Sequence, residues 1–132
     1  MRAIKTILLS LMLSLICKAV YSQSIASPQM AFDSLTVELG QLSRSDSRRK
    51  VVFCFRNTGD APLIIESIES SCGCTKVTYP KHAIKSGKSG KIEVKYDGSG
   101  NLAGKFISKV RVFNNSPFKS IVLRIRGELI DD

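Results

Sequence analysis

Two cysteines separated by a single glycine are the residues of this sequence best suited to chemistry. Cys72 and Cys74 flank Gly73, and a glycine allows the tight backbone that a disulfide between such near neighbours requires. The same two thiols also suit a redox-active pair, or a site for a soft metal ion such as Cu(I). We favour a structural role, as a disulfide or as small buried thiols, because cysteine packs like a small apolar residue.

The other cysteine outside the N-terminal segment, Cys54, makes the number of thiols odd. One thiol therefore stays free unless chains cross-link, and we expect any disulfide to join Cys72 to Cys74. Cys54 lies between Phe53 and Phe55, so we expect its thiol to react slowly. A zinc site would need four ligands, and beyond the pair only Cys54 and the single histidine, His82, are at hand.

Residues for enzyme catalysis are scarce. His82 is predicted to lie in a loop, and no serine sits in the strand-turn-helix setting of a nucleophile elbow. The sequence Gly87, Lys88, Ser89 lacks the first glycine of a phosphate-binding loop and precedes no predicted helix. We therefore expect no enzyme activity and no cofactor.

The N-terminus has the parts of a cleavable signal peptide. Arg2 and Lys5 supply positive charge, and residues 7–17 form an apolar run interrupted only by two serines. That run is too short to span a bilayer, which takes about 20 residues. We predict a signal peptide over residues 1–22, cleavage before Gln23, and an exported protein with no transmembrane segment.

Cys17, near the end of the leader, raises the question of a lipid anchor. A lipidated cysteine normally follows a small residue, whereas Ile16 precedes Cys17, so we expect no lipidation. After the leader, residues 23–30 are predicted to be a short tether. Residues 31–132 are predicted to form a single domain.

The mature chain is moderately basic. Without the leader, 17 basic and 11 acidic residues remain, which gives a net charge of +6. Such a balance suits an anionic partner, but it also serves solubility. We favour solubility, because no run of like charges exceeds three residues.

Short apolar stretches separated by turn residues predict the fold class. Their spacing of roughly ten residues is typical of an all-β, immunoglobulin-like antiparallel β-sandwich of about seven strands. A first strand is predicted over residues 32–39, ending at Gly40. Strict alternation at residues 50–56 and 91–97 predicts buried side chains at Val51, Phe53, Phe55, Ile92, Val94 and Tyr96.

The last two strands are predicted to form a hairpin over residues 105–113 and 119–128. Its outer face would be basic, with Lys105, Lys109, Arg111, Arg124 and Arg126. Binding of single-stranded nucleic acid relies on exposed aromatic rings, and this face has few. We therefore expect no nucleic acid partner and favour a solvated face.

Two ordered motifs resemble a known bacterial family. The first runs from Phe53 through Asn57, Thr58, Gly59 and Asp60 to Ile65; the second consists of Ser71, Cys72, Gly73, Cys74 and Thr75. Together with Gly90 to Val94 and a closing Arg126, Gly127, Glu128 and Leu129, they are similar to the family known as domain of unknown function 1573. The resemblance covers residues 32–130.

The resemblance implies a fold and a setting. Domains of this family resemble Hydin-like and major-sperm-protein-like sandwiches, which are non-enzymatic modules used for protein contacts. Members are typically exported by bacteria with an outer membrane, which implies the periplasm or the cell surface. We expect a non-enzymatic module that binds another envelope protein through a sheet edge or an outer face. The alternative is a thiol protein that uses Cys72 and Cys74 for redox chemistry or for copper.

Overall fold

The computed structural model describes residues 2–20 and 25–132. Helix α1 spans Arg2–Val20, and the predicted cleavage point before Gln23 lies outside the described residues. No helix within the described ranges is both long and apolar enough to cross a membrane. The strands are β1 (Met30–Phe32), β2 (Thr36–Ser43), β3 (Arg48–Asn57), β4 (Ile65–Ser70), β5 (Thr75–Thr78), β6 (Ser89–Asp97), β7 (Gly104–Asn114) and β8 (Ser120–Ile130).

The strands form two four-stranded sheets. One sheet has the order β1, β3, β6, β5, and the other has the order β2, β8, β7, β4. The prediction of an immunoglobulin-like sandwich is confirmed, with one strand more than expected. All pairs are antiparallel except β2 and β8, which run parallel.

The predicted first strand over residues 32–39 is wrong, because the chain changes sheets within it. Met30 pairs with Asn57 in one sheet, whereas Thr36 pairs with Arg124 in the other. Gly40 does not end a strand either. It lies inside β2 with φ +69°, where the register with β8 shifts, and this left-handed conformation suits glycine.

The folded domain begins before residue 31, at the end of the segment predicted to be a tether. The carbonyl oxygen of Ser27 accepts a hydrogen bond of 3.1 Å from the Asp60 amide, and that of Gln29 accepts one of 2.9 Å from the Thr58 amide. Met30 is buried in the core. Residues 27–30 thus belong to the sandwich, because the turn at 57–60 supplies hydrogen-bond partners that local sequence does not reveal.

The core lies between the two sheets, and the predicted alternation is confirmed. Phe53 and Phe55 of β3 are 1% exposed, and they face Val110 and Leu123 of the opposite sheet, which are fully buried. Phe55 packs so closely on Gly90 that a Cβ there would lie 2.6 Å from the ring. A smaller cluster at one end of the sandwich contains Leu42, Tyr96 and Leu129.

Candidate functional site

The cysteine pair lies in the loop that carries the chain from one sheet to the other. β4 is the edge of one sheet and β5 the edge of the other, and residues 71–74 connect them. Cys72 and Cys74 are joined by a disulfide. Both are half-buried, and Cys74 packs against the small cluster that contains Tyr96.

Hydrogen bonds account for the residues on either side of the disulfide. Ser71 pairs with Lys109 of β7 through two hydrogen bonds of 2.9 Å, one of which ends on the Ser71 hydroxyl oxygen. The hydroxyls of Ser70 and Thr75 donate to the Cys72 carbonyl oxygen at 3.1 and 3.0 Å. The motif therefore serves to hold the crossing between the sheets.

Gly73, unlike its neighbours in the motif, makes no contact with the described residues that explains its presence. It is exposed, its φ is not left-handed, and a Cβ at this position would meet nothing within 4 Å. The backbone conformation of this loop therefore does not itself require glycine. The absence of a side chain leaves open the groove described below, which Gly73 lines.

Neither the soft-metal nor the zinc hypothesis finds its ligands here. The sulfurs of Cys72 and Cys74 are bonded to each other, so they do not form a pair of thiolates. His82 is exposed in the loop between β5 and β6, and Cys54 lies on β3. Among the described residues, no group of three or more histidine, cysteine or acidic side chains is arranged to hold a metal ion.

The expectation for Cys54 is wrong. Its thiol is exposed on the outer face of β3, because Phe53 and Phe55 take the inward positions of the alternation. It pairs in register with Lys91 of β6. The neighbouring rings therefore fill the core and do not cover the sulfur.

A groove of about 810 Å³ lies beside the disulfide loop. Its floor comes from β3, β5 and β6, and its walls come from the disulfide loop and from residues 99–101. We call it the cationic groove, because one acidic side chain, Asp97, and five basic ones line it: Arg48, Arg49, Lys50, Lys76 and Lys95.

Three of these lysines form a row across the sheet. Lys95 of the central strand β6 pairs in register with Lys50 of β3 on one side and with Lys76 of β5 on the other. All three are exposed on the outer face. Side chains in such positions have Cβ atoms roughly 4.5–5.5 Å apart, and like charges there destabilise a sheet. The fold thus retains two adjacent repulsive pairs.

Ion pairs neutralise only part of the cationic groove. Arg48 pairs with Asp97 at 3.2 Å, Lys50 with Glu93 at 3.4 Å and Arg49 with Asp46 at 3.7 Å. Within the part of the chain that the structure describes, Lys76 and Lys95 have no ion-pair partner. Two ammonium groups are therefore available to a ligand.

Asp97 links the cationic groove to the disulfide loop. Its amide donates a hydrogen bond of 2.9 Å to the Cys74 carbonyl oxygen. Hydrogen bonds from Ser99, and then the nearby charge of Arg48, lower the pKa of the Asp97 carboxyl group. The carboxylate therefore stays ionised and holds Arg48 at the rim.

At the opposite end of the sandwich, Asn57 explains the predicted turn motif. Its side chain is fully buried and donates to the carbonyl oxygens of Ala61 at 2.7 Å and Ile84 at 3.0 Å. Its Oδ1 accepts from the amides of Gln29 at 3.2 Å and Gly59 at 3.0 Å. This one amide thus joins three segments of chain.

An exposed aromatic ring stands at this same end. Phe118 is 76% exposed, at the tip of the turn between β7 and β8. In this turn the side chain of the buried Asn114 accepts a hydrogen bond from the Ser116 amide. Lys119 has a φ of +63°, a strained value for a residue other than glycine. A groove of about 360 Å³ separates Phe118 and Pro117 from residues 27–29 and 58–60, and we call the whole the Phe118 surface.

Sequence reasoning predicted the motif residues and missed both surfaces. The outward positions of Lys50 and Lys95 were visible in the alternation, but their alignment depends on register. The predicted basic face of the β7–β8 hairpin is confirmed, with Lys105, Lys109, Arg111 and Arg126 exposed and Arg124 half-buried. The cationic groove lies on the other sheet.

Comparison with known proteins identifies the family. The family described as protein of unknown function (DUF1573) matches residues 30–129. This chain belongs to the DUF1573 family. Among curated proteins, no sequence matches the chain.

Solved structures with a fold similar to that of this DUF1573 domain include a PapD-like domain. A protein of unknown function from Porphyromonas gingivalis W83 has a TM-score of 0.69 and 19% identity, over 82% of this chain and 50% of that one. The ASH/PapD-like domain of human CEP192 has a TM-score of 0.64 and 8% identity, over 83% and 91% of the two chains. The periplasmic chaperone SfaE has a TM-score of 0.54 and 16% identity, over 79% and 58%. The chain thus spans half the length of the P. gingivalis protein.

Proposed function

We propose that this DUF1573 protein is an exported, non-enzymatic module of the bacterial cell envelope that binds another protein through the Phe118 surface. The exposed Phe118 ring carries this proposal. Burying a phenylalanine side chain stabilises a protein by about 1.5–3 kcal/mol, and the isolated fold forgoes this gain. Aromatic residues are enriched where proteins meet, so a partner would recover it.

The ends of the sandwich suit this role better than the sheet edges. β1 and β5 have only three and four residues, and β2 is interrupted at Gly40. The β4 edge has a register shift and exposes Glu66 and Glu69. Short, bulged or charged edges resist the addition of a further strand. A contact through Phe118 avoids these obstacles.

Two further observations support the setting. The leader over residues 1–22 has the charge and apolar run of a signal peptide. One protein of similar fold is described as a periplasmic chaperone, and this analogy supports contacts with other proteins outside the cytoplasm. The periplasm and the cell surface are both consistent with the proposal.

Photo-crosslinking tests the contact in living cells. A photoreactive phenylalanine analogue is placed at Phe118 or, as the matched control, at Leu102, which is 87% exposed at the other end of the sandwich. We expect a discrete crosslinked product from position 118 and none from position 102. Equal products from both positions, or none from 118, would contradict the proposal.

Mass spectrometry of the protein extracted from the envelope tests the export. We expect a mature chain that begins at Gln23 and carries no lipid. A diacylglycerol adduct on Cys17, or an intact leader in the cytoplasmic fraction, would refute this part of the proposal.

A further inference from the structure

The cationic groove has no role in the contact proposed for Phe118. Arg48 lies at the start of β3 and the turn at 57–60 follows its end, so the groove and the Phe118 surface occupy opposite ends of the sandwich. We propose that the cationic groove binds a phosphorylated saccharide.

The row of lysines is the first observation that favours a phosphorylated ligand. Lys95 lies opposite Lys50 on one side and Lys76 on the other, and like charges in such cross-strand positions lower the stability of a sheet. Only Lys50 has a carboxylate to pair with among the described residues. A bound anion would relieve the repulsion at both pairs. Phosphate suits this position best because each group carries a charge near −2, which several ammonium groups share.

The shape of the groove is the second observation, and it favours a saccharide. Its volume of about 810 Å³ lies within the range of small-molecule sites, which is roughly 300–1,000 Å³. The wall at residues 99–101 offers Ser99 and Asn101, whose polar side chains suit the hydroxyl groups of a sugar. A concave site of this size, with charged and polar side chains in its lining, suits a saccharide better than the flat surface of a membrane.

The lining also argues against macromolecular occupants. Lysine is depleted at protein interfaces and aromatic residues are enriched, but the one aromatic lining residue, Tyr96, is only 2% exposed. Nucleobases stack on exposed rings, and a membrane surface takes up exposed apolar side chains. The described lining offers neither.

Calorimetric titration of the mature chain with fructose 1,6-bisphosphate tests the proposal. We expect binding that weakens as salt is added and that is at least about tenfold tighter than binding of inorganic phosphate. Fructose should not bind. The variant K50Q/K76Q/K95Q should lose about tenfold or more in affinity.

The matched control removes the same number of positive charges at positions outside the groove. Lys85, Lys88 and Lys105 are exposed and lie outside the groove, and K85Q/K88Q/K105Q should keep its affinity. An equal loss in both triple variants would show diffuse attraction only and would overturn the proposal. So would equal affinity for inorganic phosphate, or tighter binding to a glutamate hexapeptide or to vesicles of anionic lipid.

Stability supplies a second readout that does not depend on the probe. Lys95→Gln removes both repulsive pairs, so we expect it to raise the thermal midpoint while it weakens binding. A lower midpoint would contradict the electrostatic argument. Phe118→Ala should bind fructose 1,6-bisphosphate normally, so a failure of the protein contact and a failure of the groove are told apart.

Discussion

The side chain of Asn57 donates a hydrogen bond of 3.0 Å to the carbonyl oxygen of Ile84, across 27 residues of sequence. The bond is buried, and it ties the loop before β6 to the turn that follows β3. Gly59, two residues on, lies so close to the N-terminal segment that a Cβ would be 2.3 Å from the Ser27 carbonyl oxygen. The turn at residues 57–60 therefore closes one end of the sandwich.

Asn57→Ala should destabilise the domain by about 3 kcal/mol or more, because each buried polar group left without a partner costs about 1–3 kcal/mol. Urea denaturation measures the change. Asn115→Ala is the matched control, since Asn115 also bonds two backbone groups but is exposed, and we expect it to cost about 1 kcal/mol. Equal losses would show that burial of Asn57 is not what matters.

Phe53 and Val52 are neighbours on β3 that face opposite ways. Phe53 is 1% exposed and Val52 is 42% exposed. Phe53→Ala should therefore cost about 3–5 kcal/mol, the usual effect of removing a core ring. Val52→Ala should change the free energy of unfolding by less than about 1 kcal/mol. A Phe53→Ala domain that unfolds at the wild-type urea concentration would contradict the core described above.

The thiol count follows from the disulfide and from the exposure of Cys54. The folded mature chain should show one reactive thiol without reductant, and three after denaturation and reduction. Cys54 should be alkylated without denaturation, because its side chain is exposed. Peptide mapping of the alkylated protein checks both points. A bridge from Cys54 to either other cysteine would be inconsistent with the fold.

Stability in alkali should depend on Tyr96. Burial raises the pKa of Tyr96 above its ordinary value of 10.0. The folded state holds this proton more tightly than the unfolded state. The stabilisation is therefore complete below the ordinary value and is lost as the pH rises through the raised one.

Tyr96→Phe should thus lose less stability than the wild-type domain between about pH 9 and about pH 11. Urea midpoints at several pH values measure the slopes. Parallel slopes in the two proteins would refute the assignment to Tyr96.

The alternation of apolar and polar residues was sufficient to predict most of the strands. The side chains of a strand point to opposite faces in turn, so residues 50–56 and 91–97 show their buried faces in the sequence itself. The disulfide could also be predicted from the sequence, because its cysteines are two residues apart and no distant segment has to bring them together. In both cases the decisive interaction is local.

The sheet change between β1 and β2 and both candidate surfaces depended on tertiary structure. Met30 and Thr36 are six residues apart, yet their partners, Asn57 and Arg124, belong to different sheets. Lys50, Lys76 and Lys95 meet only because β3 and β5 both pair with β6 in one particular register. A shift of one residue would turn a lysine to the other face, and register is set by the packing of the whole sandwich. Composition therefore determined that the domain is basic, and the tertiary structure decided where its positive charges gather.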